Sequence, residues 1–135
     1  MQNTKNLNKK YVNILEEAKK IIKKSYKKDI SSMASILLSK KGFFYTGVNV
    51  KYKNIWKCIC GERVAIAKAL ENNDLKFDTI ATVKYYPKNN LYSVINMCGE
   101  CLQIAINHKG LKVIVDNKGI LQLISIEKIL PYAYL

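Results

Sequence analysis

The stretch "CICGERVAIAKAL", Cys58 to Leu70, sets two cysteines, a glycine and a Glu-Arg pair at the head of an apolar run. Val64, Ala65, Ala67, Ala69 and Leu70 make a helix apolar on most sides, as a buried helix should be. A thiol and a carboxylate at such a helix start are either ordinary core and surface residues or half of a metal site. The second reading needs another half elsewhere in the chain. "NMCGECLQIA" supplies one: Cys98 and Cys101 stand in C-x-x-C spacing and open a second short helix, stopped by Gly110.

Three thiolates from two helix starts can hold Zn²⁺ tetrahedrally with one position left for water, the mark of a catalytic rather than a structural site. The partial positive charge of a helix N-terminus also favours the thiolate form. Cys60, Cys98 and Cys101 are therefore the expected metal ligands, against the plainer reading of three buried cysteines. Cys58 lies on the incoming loop, two residues before Cys60, and is expected to point elsewhere. His108, the only histidine, is seven residues beyond Cys101 and reads as a residue near a helix C-terminus. Glu100, between the paired cysteines, is expected to face solvent or a partner subunit.

Outward from these motifs, "LNKKYVNILEEAKKIIKKSYKK" repeats Leu7, Tyr11, Ile14, Leu15, Ala18, Ile21 and Ile22 at three- and four-residue intervals, one face of an amphipathic helix covered by lysines. "MASILLS" and "FFYTGVNV" around Lys40-Lys41-Gly42 predict a hairpin. "DTIATVKYY" predicts a strand, broken at Pro87-Lys88-Asn89-Asn90. "LKVIVDNKGILQLIS" predicts two more strands around Asn117-Lys118-Gly119, and "IEKILPYAYL" closes the chain with a last turn. The order helix, hairpin, helix, strand, helix, strand, strand predicts an α/β fold with one mixed sheet covered by helices. No repeat or linker divides the 135 residues, so a single domain over 1–135 is expected. Both cysteine motifs fall at strand-to-helix junctions, where open α/β sheets bind ligands.

The apolar content of 49% suits a globular chain. No apolar run approaches a membrane span, and the first residues lack the charged-then-apolar order of a secretory signal. A cytoplasmic (or nuclear) setting is expected, where thiols stay reduced and clustered cysteines favour metal or catalysis. The formal charge is +13, yet Arg63 is the only arginine among 23 basic residues. Dedicated readers of bases and phosphates favour the arginine fork, so only nonspecific attraction to nucleic acid is expected at low salt. An A+T-rich genome would account for the Lys, Asn, Ile and Tyr content, a hypothesis that the host's base composition would settle.

C-x-E opening one helix and C-G-x-C opening another is the motif pair of zinc nucleobase deaminases, in which the Glu is an acid/base and not a ligand. From about Leu7 to Leu135 the sequence resembles the cytidine deaminase superfamily, through "TGVNV", "CGERVAI", "CGECLQ" and the terminal "ILPYAY". Within it the likeness is greatest to the blasticidin-S deaminases, whose equivalents of "SSMAS" and "TGVNV" are similar and which share a Tyr three residues beyond Leu-Pro. The resemblance implies a three-layer fold with a five-stranded mixed sheet flanked by helices, and a homotetramer with active sites at subunit boundaries. It implies Zn²⁺ as cofactor on Cys60, Cys98 and Cys101, with Glu62 as the proton shuttle. The reaction implied is hydrolytic deamination of a small-molecule cytosine nucleoside (cytidine, deoxycytidine or a blasticidin-S type compound) to its uracil form.

By the same resemblance Asn49 matches the sugar-binding Asn, and Ser32 and Tyr134 match substrate-contacting positions of the blasticidin-S deaminases. Their ordinary readings are a turn cap, a strand-edge hydroxyl and a C-terminal packing residue. Where cytidine deaminases carry a ribose-holding Glu, this chain has Lys51. It has no aromatic near Ser31, Met97 stands for the usual Pro, and Leu102 for the usual Arg. Arg63 remains to offset the negative charge of three thiolates and tune the metal. These departures bear on sugar recognition and leave the core chemistry in place. Two other classes stay open: a polynucleotide cytosine deaminase, supported by the charge, and a non-catalytic zinc or nucleic-acid module, which would leave Glu62 without a purpose.

Overall fold

The structure is a computed structural model that describes residues 2–135. Its elements run α1 (Lys9–Ser25), β1 (Met33–Ser39), β2 (Phe44–Val48), α2 (Gly61–Glu71), β3 (Phe77–Tyr86), β4 (Leu91–Val94), α3 (Gly99–Ala105), β5 (Lys112–Asn117), β6 (Ile120–Ser125) and α4 (Ile126–Ile129). The sheet order is β2-β1-β3-β5-β6, antiparallel except where β3 runs parallel to β5. The short β4 folds back on the end of β3, pairing Val83 with Val94 and Tyr86 with Leu91. A five-stranded mixed sheet is what the sequence implied; β4 is an addition to it.

Strand alternation assigns side chains to two cores, because successive residues point to opposite faces. On one face Ile36, Leu38, Ala81, Val83 and Ile114 meet Tyr11, Ile14, Leu15 and Ala18 of α1. On the other, Leu37, Ile80 and Val113 meet Ala65, Ile66 and Ala69 of α2 and Cys101 and Ala105 of α3. The layers are thus α1, sheet, then α2 with α3 and α4. The spacing of apolar residues in α1 gives its buried face directly. The expectation for α2 needs correction: Ala65, Ile66 and Ala69 are buried, but Ala67 is exposed and Leu70 is 42% exposed, so one apolar flank faces outward.

The predicted turn at Lys40-Lys41-Gly42 joins β1 to β2, with Gly42 in the left-handed region at φ +89°. Among the described residues no helix is long and apolar enough to cross a membrane.

Candidate metal centre and adjoining cleft

Two chain segments bring the cysteines together. Val50 and Ile59 exchange backbone hydrogen bonds of 2.9 Å, pinning the loop that delivers Cys60 to the start of α2. The other segment leaves β4 and, four residues later, reaches Cys98, the residue capping α3. The sulfurs of Cys60, Cys98 and Cys101 lie within 4.8 Å of one another. That is the scale set by one zinc ion, whose bonds to sulfur are about 2.3 Å. Cys101 is buried, Cys60 half-buried and Cys98 exposed. Cys58 is outside the cluster; its thiol faces the Ile59 carbonyl at 3.5 Å and Nδ2 of Asn49 at 3.9 Å.

The thiols differ in their readiness to ionise. Burial opposes ionisation of Cys98, but backbone donors of Cys101 and Glu100 and the neighbouring thiols outweigh it and hold Cys98 below its ordinary range. That is the expected effect of a helix start. Burial and then the charge of Glu62 push Cys101 well up, and burial also raises Cys60. The helix-start effect therefore reaches only one of the three. Three crowded sulfurs beside a carboxylate need a cation to become thiolates together, and this donor set fits zinc.

Glu62 is buried, 6% exposed, on the first turn of α2. Arg63, one residue on, hydrogen-bonds Cys101, which together with Glu100 holds it firmly protonated. Its guanidinium also meets Glu100 at 2.8 Å, and Lys57 reaches the same carboxylate at 3.3 Å. Glu100 is thus turned onto two cations, a correction to its expected solvent or partner-facing position. Arg63 Nε is buried without an acceptor among the described residues, a donor in reserve beside the sulfurs. His108 is remote from the cluster and lies against Phe77, ring centres 4.3 Å apart.

Next to this centre opens a cleft of about 640 Å³ lined by Ser32, Asn49 and Lys51, among others; none of the three clustered cysteines lines it. Asn49 is buried, and its Oδ1 accepts the backbone N–H groups of Ser32 (2.8 Å) and Met33 (2.9 Å). Its carbonyl accepts the Ser31 hydroxyl at 2.7 Å. Asn49 is thereby the cap its ordinary reading described, with only Nδ2 left to address a ligand. Tyr134 is not brought to the cleft: it is 87% exposed, and its backbone is held by the Gln103 amide on α3. Sequence reasoning passed over the cleft's far wall, which includes Tyr26, Lys84 and Lys88. Its only signal was Lys and Tyr at both ends of the strand "DTIATVKYY" and the turn after it.

Fold and site together define an α/β protein with a thiol metal centre at two helix starts. Over residues 8–116 the chain matches the family described as cytidine and deoxycytidylate deaminase zinc-binding region, and it belongs to that family. A curated relative, blasticidin-S deaminase of Bacillus cereus, is 23% identical over 97% of this chain and 96% of its own length. Cytidine deaminase from Burkholderia pseudomallei is 27% identical, with a TM-score of 0.72 over 92% of this chain and 98% of that one. Cytidine deaminase from Bacillus anthracis shares the fold with a TM-score of 0.78 at 18% identity, covering 91% of this chain and 88% of that one. The likeness to cytidine and blasticidin-S deaminases drawn from the motifs is borne out, and zinc is the cofactor that family and cysteine cluster share.

Proposed function

We propose that this chain is a zinc-dependent hydrolytic deaminase of a small cytosine nucleoside, forming one catalytic domain over residues 1–135. The observation that carries the reading is Glu62, a buried carboxylate one turn into α2 and beside three clustered thiols. A non-catalytic zinc module has no use for a carboxylate held there at the cost of burial.

Cys60, Cys98 and Cys101 would hold the metal. When bound, zinc supplies Lewis acidity that makes a water acidic near neutral pH. Glu62 takes a proton from that water and gives one to ring nitrogen N3, which leaves C4 electrophilic. It then passes a proton to the exocyclic nitrogen. A C–O bond forms at C4, the C–N bond breaks, and one water is consumed for each ammonia released. Arg63 offsets the sulfur charge through Cys101, and Nδ2 of Asn49 donates to the sugar, with Ser32 and Lys51 on the same wall.

A homotetramer with sites at subunit boundaries is supported by the apolar side chains left outside: Trp56 is 94% exposed, Tyr132 97% and Tyr134 87%. Tyr134 would then contact substrate in a neighbouring copy. A cytoplasmic setting keeps the thiols reduced.

The test is metal content and ammonia release from cytidine, deoxycytidine and blasticidin S. Glu62→Gln should keep zinc and lose several orders of magnitude in rate. Cys98→Ala should lose both zinc and activity, and Cys58→Ala neither. Near-normal turnover by Glu62→Gln would overturn the mechanism.

A further inference from the structure

The cleft beside the metal centre is more cationic than a neutral nucleoside requires. Lys51, Lys53, Lys84 and Lys88 line it, against one carboxylate, Asp29. The two walls are joined: Tyr85 N–H donates to the Ser32 carbonyl at 2.9 Å, so the lysine-bearing end of β3 lies beside the Ser32–Asn49 wall. Lys51 N–H donates to the Ile30 carbonyl at 3.0 Å, which fixes the backbone of the opposite lysine-bearing strand. Asn49, whose free Nδ2 is the proposed sugar donor, lies where these walls meet. A group attached to the sugar and pointing away from the cysteines would enter a field of four ammonium groups.

Resting on the deaminase reading, we propose that the substrate is a cytosine nucleotide, with its sugar phosphate held by Lys84 and Lys88 on one wall and Lys51 and Lys53 on the other. Lysine suits a phosphate as a point charge with three donors. A volume of about 640 Å³ leaves room for a phosphorylated sugar as well as the base it carries.

The aromatic side chains argue against a polynucleotide strand. Strand-binding grooves offer free ring faces on which successive bases stack. Here Tyr85 stacks on Tyr92 with centres 4.9 Å apart, Tyr26 meets Tyr85 edge-on at 5.6 Å, and the Lys84 ammonium lies 5.1 Å over the Tyr86 ring. These faces are occupied by one another or by lysine, so the cleft offers charge rather than stacking.

Deamination of cytidine, CMP, CTP and an oligodeoxycytidine is compared at low and high ionic strength, and binding of uridine and UMP is measured by calorimetry. CMP should exceed cytidine at least tenfold in kcat/KM, and UMP should bind at least tenfold tighter than uridine, both margins shrinking with salt. In the Lys84→Ala/Lys88→Ala protein the CMP-to-cytidine ratio should fall toward one, and Lys84→Arg/Lys88→Arg should restore it. Equal treatment of CMP and cytidine, or of UMP and uridine, overturns the proposal, and so does an oligonucleotide preferred to CMP. If no cytosine compound releases ammonia, the deaminase reading fails, while the UMP-to-uridine binding ratio still decides whether the cleft holds phosphate.

Discussion

Gly47 of β2 and Gly61 at the start of α2 lie back to back, with no room for a side chain on either. A Cβ on Gly47 would come to 2.2 Å from the Gly61 carbonyl oxygen and 2.8 Å from Cβ of Val64. One on Gly61 would come to 2.7 Å from the Gly47 carbonyl oxygen and 2.8 Å from the Ser35 hydroxyl. Backbone against backbone cannot yield as a flexible side chain would. The pair fixes how deeply the head of α2 sits on the sheet, and hence where Cys60 and Glu62 stand.

Gly47→Ala should therefore destabilise the fold by about 1–3 kcal/mol, the usual range for overpacking, and weaken zinc retention as Cys60 is pushed outward. Gly61→Ala should act in the same direction and less strongly, because the Ser35 hydroxyl can rotate. Denaturant midpoints and zinc per chain measure both effects. A Gly47→Ala protein with unchanged stability and metal content would show that the helix head is not held by this contact.

Arg63 connects the sulfur of Cys101 to the carboxylate of Glu100. Its removal leaves the sulfur charge uncompensated and frees Glu100 to repel it. Arg63→Ala should keep the fold and lose about 10- to 100-fold in activity or metal affinity, the scale of outer-shell changes at metal sites. Arg63→Lys should recover part of the loss, since one ammonium cannot serve both partners as a fork does. Equal activity in Arg63→Ala and the parent would remove Arg63 from the site's electrostatics.

The metal cluster was legible because its ligands announce themselves by spacing at two helix starts, and α1 because five of its buried residues follow a helical period. β4 was not: Leu91–Val94 runs exposed, half-buried, half-buried, buried, too short for alternation to register. Nor does the sequence state that β1 lies between β2 and β3, a long-range pairing sealed by the Ser35–Thr82 hydroxyl contact at 2.7 Å. Asn49 was found through resemblance, but its role as a cap for two β1 amides depends on a contact made across 16 and 17 residues. The lysine wall escaped notice for a different reason. In a chain with 23 basic residues, a local cluster of cations does not stand out until the fold shows which of them converge.

His108 offers a pH readout independent of catalysis. Burial lowers its pKa, partly opposed by the Leu75 backbone, and its ring packs on Phe77. The unfolded chain, with an imidazole pKa near 6.5, then binds more protons than the folded one. Stability should be fully present above about pH 6.5 and fall as pH drops toward the lower folded value. His108→Gln should remove that part of the slope. Unfolding is compared with the parent at each pH, so any loss of zinc in acid is common to both. Parallel curves would mean that the imidazole does not contribute.

Asn49 can be divided into its two ends. Asn49→Ala leaves the Ser32 and Met33 amides without their acceptor and should cost about 1–3 kcal/mol, the penalty for unpaired buried groups. Asn49→Asp keeps an acceptor for both amides and loses only the Nδ2 donor. It should hold most of the stability yet raise KM for the nucleoside with little change in zinc content. If Asn49→Asp bound substrate normally, the side chain would be a cap and nothing more.

Lys51 decides what kind of sugar the site accepts. A carboxylate at this position could accept a hydrogen bond from a sugar hydroxyl, whereas an ammonium has donors only. Lys51 lines the same wall as Asn49, whose own acceptor is already taken by backbone amides, so hydroxyl-to-acceptor recognition of a plain ribose has no partner in either residue. An anionic sugar, phosphorylated or carboxylated, would instead gain a charge-assisted contact. Cytidine should accordingly saturate poorly beside CMP or blasticidin S. Lys51→Glu should improve cytidine and weaken CMP, each by about tenfold, the scale of one charged hydrogen bond. The measurement is kcat/KM for all three compounds with both proteins. If cytidine is already the best substrate and Lys51→Glu leaves the ranking unchanged, Lys51 projects into solvent and Asn49 alone holds the sugar.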